Sequence, residues 1–172
     1  MSEQDTGMGF NEAGHDPLAN GADTAPAAGL ISQYIKDLSF ENPNAPAIYQ
    51  NQTPPQIEVQ FNIGTTQVAD EVHEVVLKIE AKAQVGDSVG FIVDLSYAGL
   101  FGLRNIPAEH VQPFLLGEAP RLLFPFARRV LSDAVRDGGF PPLLLDPIDF
   151  GGLYMQQEEA RQQALAGEAG TA

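Results

Sequence analysis

Three stretches of this chain alternate apolar and polar side chains with a period of two: "IEVQFNIG" (57–64), "EVVLKIEAKAQV" (74–85) and "GFIVDLSYAG" (90–99). That period sends successive side chains to opposite faces and predicts strands. Ile57, Val59, Phe61 and Ile63 face one way and Glu58, Gln60 and Asn62 the other. Val75, Leu77, Ile79, Ala81 and Ala83 are opposed in the same manner to Glu74, Lys78, Glu80 and Lys82, and Phe91, Val93, Leu95 and Tyr97 to Ile92, Asp94 and Ser96. An earlier segment, "ISQYIKDLSFE" (31–41), reads as a further strand, with Asp37, Ser39 and Glu41 on one side and Lys36, Leu38 and Phe40 on the other. One greasy face and one wet face imply an antiparallel sheet.

The connections differ in kind. Gly86-Asp87 is a turn signal between two of the strands. "NPNAPAIYQNQTPPQ", with Pro43, Pro46, Pro54 and Pro55, is a long, stiff crossover rather than a hairpin. After residue 104 the pattern turns helical. "PAEHVQPFLLG" predicts a short helix opened by Pro107, and Pro120 suits the start of a longer one. In that longer helix Leu123, Ala127, Val130, Leu131 and Ala134 recur at helical spacing, and Gly138-Gly139 ends it. A last helix begins near Phe150. Strands first and helices after make an α+β domain, with a four-stranded antiparallel sheet covered by helices on one face.

Residues 1–29 carry Glu3, Asp5, Glu12, Asp16 and Asp23 and no Lys or Arg, without any period, and are expected to be a disordered acidic tail. The folded domain is expected over 30–161, with a flexible end over 162–172. The formal net charge of −14 disfavours nucleic acid and anionic lipid surfaces and favours a basic partner. Absence of cysteine removes disulfides and thiolate chemistry. The amino terminus lacks the pattern of a signal peptide, and no apolar run approaches the roughly 20 residues of a membrane span. The expectation is a cytoplasmic protein with no direct membrane insertion.

Catalytic patterns are scarce. His15, His73 and His110 show no metal-ligand spacing, and no phosphate loop, dinucleotide fingerprint or nucleophile motif is present. The chain is not expected to be an enzyme or to hold a cofactor; a small-molecule-binding α+β enzyme is the remote alternative. Two features call for explanation. Asp37, Glu41, Glu58, Glu74, Glu80 and Asp94 gather on the polar strand sides, with Ile35 and Ile92 as apolar exceptions. This is either a solvated surface or a docking face for a basic partner. The run "GGFPPLLLDPIDFGGLY" (138–154) carries more apolar side chains than a connection needs. It is either core or, with the apolar segment Pro43 to Tyr49 and the last helix, the wall of a groove for extended chains.

"FENPNAP", "VHEVVLKIEAKA", "YAGLFGL", "LLFPFAR" and "GGFPPLLLDPIDFGGLY" occur in this order and together resemble the SecB family of bacterial export chaperones, from about Leu30 to Gln157. The resemblance implies an ATP-independent holdase that binds unfolded precursor proteins and delivers them to the SecA motor. It also implies a homotetramer assembled as a dimer of dimers. A client-binding groove would draw on Phe40, Pro43, Ile48, Tyr49, Phe140, Leu143, Leu145, Phe150, Leu153 and Tyr154. The contact with the basic, zinc-holding tail of SecA would fall on Asp37, Glu41, Ile92 and Asp94. The alternative within the resemblance is a chaperone dedicated to another client, such as a toxin–antitoxin pair, without delivery to SecA.

Overall fold

The computed structural model describes residues 24–169, so residues 1–23 of the expected tail over 1–29 lie outside the described residues. The alternating segments form four strands, β1 (Ala27–Glu41), β2 (Gln56–Ala69), β3 (Val72–Val85) and β4 (Ser88–Arg104), in one antiparallel sheet of order β1-β4-β3-β2. β1 starts a few residues before the expected domain boundary at 30. Strands β2, β3 and β4 follow one another as hairpins, and Gly86 adopts φ +61° in the last turn. β1 and β2 occupy opposite edges, so residues 42–55 cross the width of the sheet, with a 3₁₀ turn at Ala47–Gln50.

The helical half runs through α1 (Ala108–Pro113), a π-helical turn (Phe114–Glu118) and α2 (Ala119–Asp137) without a break, where the sequence predicts two separate helices. α3 (Phe150–Ala169) follows and continues through residues 162–169, over the segment expected to be a flexible end. The Asp149 carboxylate accepts a hydrogen bond from the Gly152 amide at its start (3.0 Å).

The core lies between sheet and helices. Val75, Leu77, Ile79, Ala81, Ala83, Phe91, Val93, Leu95 and Tyr97 are all buried on the inner face, as their alternation predicts. Above them sits one stripe of α2, with Leu123, Ala127, Leu131 and Val135 four residues apart and fully buried. Burying each large aliphatic side chain is worth about 1.5–3 kcal/mol, so this stripe is what fastens the helix to the sheet.

The inner face of β1 departs from the strict alternation. The ladder with β4 shifts between Ile35 and Asp37, a β-bulge at Lys36. Ile35 pairs opposite the buried Tyr97, whereas Asp37, Ser39 and Glu41 pair opposite Ser96, Asp94 and Ile92. Ile35 therefore belongs to the inner face, not to the polar face. Lys36, expected beside Leu38 and Phe40, instead reaches Glu74 on the outer face, with Nζ 2.5 Å from Oε1. The extra residue reverses the parity on which the assignment rested.

Candidate functional site

The ten apolar candidates do not form one wall; the structure divides them between core and two concavities. Leu143 and Phe150 are buried, Phe150 with its ring edge-on to both Phe61 and Phe124. Phe40 is half-buried and stacks on Phe91 at 5.9 Å, and Leu145 is half-buried against the core while its carbonyl accepts a hydrogen bond from Arg128 (3.2 Å). Pro43 is exposed in the crossover.

The first concavity, about 320 Å³, is lined by Ile48, Tyr49, Pro54, Pro55, Val85 and Phe140. Its geometry follows from how α2 ends. Gly138 caps the helix and Gly139 follows at φ +85°, a left-handed conformation that favours glycine. The Gly139 amide then bonds the Arg136 carbonyl (3.0 Å) and the Phe140 amide the Val135 carbonyl (3.3 Å), a complete Schellman cap. This leaves the Gly138 carbonyl directed at the crossover, where it accepts hydrogen bonds from Tyr49 Oη (2.7 Å) and Asn42 Nδ2 (3.2 Å). The Tyr49 and Phe140 rings meet at 5.6 Å, and Phe140 reaches the buried Phe91 at 5.1 Å. The proline-rich crossover is thus latched to the end of α2, rather than packed along the last helix.

The second concavity, about 170 Å³, lies under α3 and is lined by Phe61, Ile63, Leu116, Phe150, Leu153 and Tyr154 together with the polar Asn62 and Gln157. Between the two runs the inner face of β2. Ile57, Val59 and Phe61 pair opposite the buried Ala83, Ala81 and Ile79, yet remain 40%, 37% and 39% exposed. The strand lies at the sheet edge beyond the reach of α2, so its apolar face has no lid. From Ile57 to Ile63 this is roughly 20 Å of apolar strand, at about 3.3 Å per residue, joining one concavity to the other. Alternation predicted the side these residues face but not that they are left uncovered.

The opposite side of the sheet is charged. Three rows cross it side by side: Asp37, Ser96 and Lys78; Ser39, Asp94 and Glu80; Glu41, Ile92 and Lys82. Asp37, Glu41, Ile92 and Asp94 are therefore brought onto one patch of neighbouring strands. Lys78 Nζ lies 3.5 Å from Asp94 Oδ2, while Asp94 Oδ1 is buried without a hydrogen-bond partner. Farther along, Glu74 accepts hydrogen bonds from both Lys36 and Tyr34. Those two bonds, Lys36 first, hold its carboxyl below the usual carboxylate range, and the bond to Glu74 pushes the Tyr34 phenol up to about 12. Among the described residues there is no cluster of metal-ligating side chains, and no helix is long and apolar enough to cross a membrane.

Known proteins share this sequence and fold. The family model for preprotein translocase subunit SecB matches residues 21–161. Protein-export protein SecB of Rhizorhabdus wittichii is 64% identical over 151 residues, covering 88% of this chain and 90% of its own. Those of Sphingopyxis alaskensis (61%, covering 87% of each) and Zymomonas mobilis (59%, covering 86% and 91%) follow. Among solved structures, a SecB-like chaperone of Mycobacterium tuberculosis in complex with an antitoxin peptide superposes with a TM-score of 0.59. It covers 70% of this chain and 90% of that one at 16% identity, a likeness of fold. The class is that of protein-export chaperones, not enzymes. The chain belongs to the SecB family.

Proposed function

We propose that this chaperone holds unfolded precursor proteins along the uncovered apolar face of β2 and its two flanking concavities, and hands them to SecA through the opposite face of the sheet. It does so in the cytoplasm, without ATP, as a homotetramer built from two dimers. The observation that carries this reading is the division of one sheet into an unlidded apolar edge and an acidic outer patch. An extended client gains from several shallow apolar contacts at once, which suits sequence-tolerant capture. A basic tail gains from Asp37, Glu41 and Asp94, with Ile92 as an apolar anchor among them. The dimer of dimers is supported by the exposed edge of β1, whose Ile31, Ile35 and Leu38 are costly to leave in water.

Replacing Asp37, Glu41 and Asp94 together by Lys should abolish binding to SecA by direct repulsion. Tetramer mass and suppression of client aggregation should be retained. Calorimetric titration with SecA decides the matter: unchanged affinity would return the acidic patch to the status of a solvated surface.

A further inference from the structure

All three lysines of the chain, Lys36, Lys78 and Lys82, stand on the outer sheet face, among its carboxylates. Five of the six arginines lie instead on α2 and α3. The lysines are not equivalent. Lys36 is bound closely to Glu74, which Tyr34 also engages, and this group ties β1 to β3 across β4. Lys78 forms only the loose 3.5 Å pair with Asp94, and is half-exposed. Asp94 gains little else: Glu80 stands directly opposite on β3, and Oδ1 has no donor. Its carboxylate is thus under-satisfied and guarded by a cation that can swing away. A cationic side chain that pairs with Asp94 Oδ2 competes there with Lys78.

We infer that Lys78 is an internal competitor for the docking patch, a counter-ion that a basic partner must displace from Asp94. This rests on the docking role proposed above. A loose ion pair at 3.5 Å with a half-exposed lysine is weak and partly screened by salt, so displacement is feasible. It exacts a toll all the same, and a partner offering a single cation gains no more from Asp94 than Lys78 already supplies. Selectivity then falls to a partner that brings several cations and covers Ile92 as well.

The test compares wild type, Lys78→Gln and Lys78→Arg in calorimetric titration with the basic, zinc-holding tail of SecA at low and high salt. Lys78→Gln should bind about three- to tenfold tighter at low salt, with the difference shrinking as salt rises. Lys78→Arg, which keeps the charge, should bind as wild type does. Client capture and tetramer mass should be unaltered in both. Unchanged or weaker binding by Lys78→Gln, or equal tightening by Lys78→Arg, overturns the inference while leaving the docking role standing. Wild type that fails to bind the tail at all overturns the docking role itself, and the competitor with it.

Discussion

Tyr34, Lys36 and Glu74 show how one inserted residue shapes a surface. Tyr34 and Lys36, two positions apart, converge on one carboxylate as regular alternation allows, and it is the bulge at Lys36 that brings Asp37 onto the same outer face. No period-two reading detects it, because a bulge changes the count without changing composition. The consequence for stability has two limbs. The depressed Glu74 carboxyl stabilises the fold above its ordinary value of 4.5, and that contribution is lost as pH falls through the lower folded value. The raised Tyr34 phenol stabilises the fold below 10.0, and that contribution disappears as pH climbs towards about 12. Glu74→Gln should therefore lower the melting temperature at neutral pH and do so much less at pH 3. In an ultraviolet titration, wild type should show one tyrosine ionising near pH 12 that is missing from Tyr34→Phe. If that late phase persists in Tyr34→Phe, the phenol is not bound as described.

At the scale of elements, the decisive relation is between β2 and α2, which does not cover it. The strands, the turn at Gly86 and the stop at Gly138-Gly139 were legible because periodicity and glycine placement are local signals. Which strand lies at an edge is a property of the whole sheet, so the alternation of Ile57, Val59 and Phe61 told their side and not their exposure. Of the groove candidates, Ile48, Leu143 and Phe150 are buried, Ile48 and Phe150 while still lining a concavity, because a run of apolar side chains does not say which side of a chain meets the core. If the uncovered strand face holds clients, replacing Ile57 and Val59 by Ser should weaken capture of a reduced, unfolded polypeptide by roughly 1–2 kcal/mol per site at most, compounded over the length of the client. Phe61 is left in place because it also touches Phe150. The variant should remain folded by circular dichroism; full anti-aggregation activity would move the client site elsewhere.

For the whole molecule, the two surfaces proposed for client and partner lie on opposite sides of a single sheet, so each can be altered without the other. The acidic amino-terminal residues belong to neither by any measure of sequence pattern, and among the described residues the sheet begins at Ala27. Removing residues 1–23 should leave the melting temperature and the number of subunits in the assembly unchanged. Removing residues 1–30 should lower both, since it strips the paired positions Ala27 to Leu30 from β4. Equal stability of the two truncations would mean that the start of β1 contributes nothing.

The strand order carries a last consequence, for the birth of the protein itself. β2, β3 and β4 can zip together as neighbours while the chain is still emerging, but β1 has no partner until β4 has been made. Contacts so distant along the chain are slow to close, and synthesis adds only about 5–20 residues each second. During that interval Leu30, Ile31, Ile35 and Leu38 are a greasy, unpaired ribbon trailing from the ribosome. A keeper of other proteins' unfinished chains thus begins life as one.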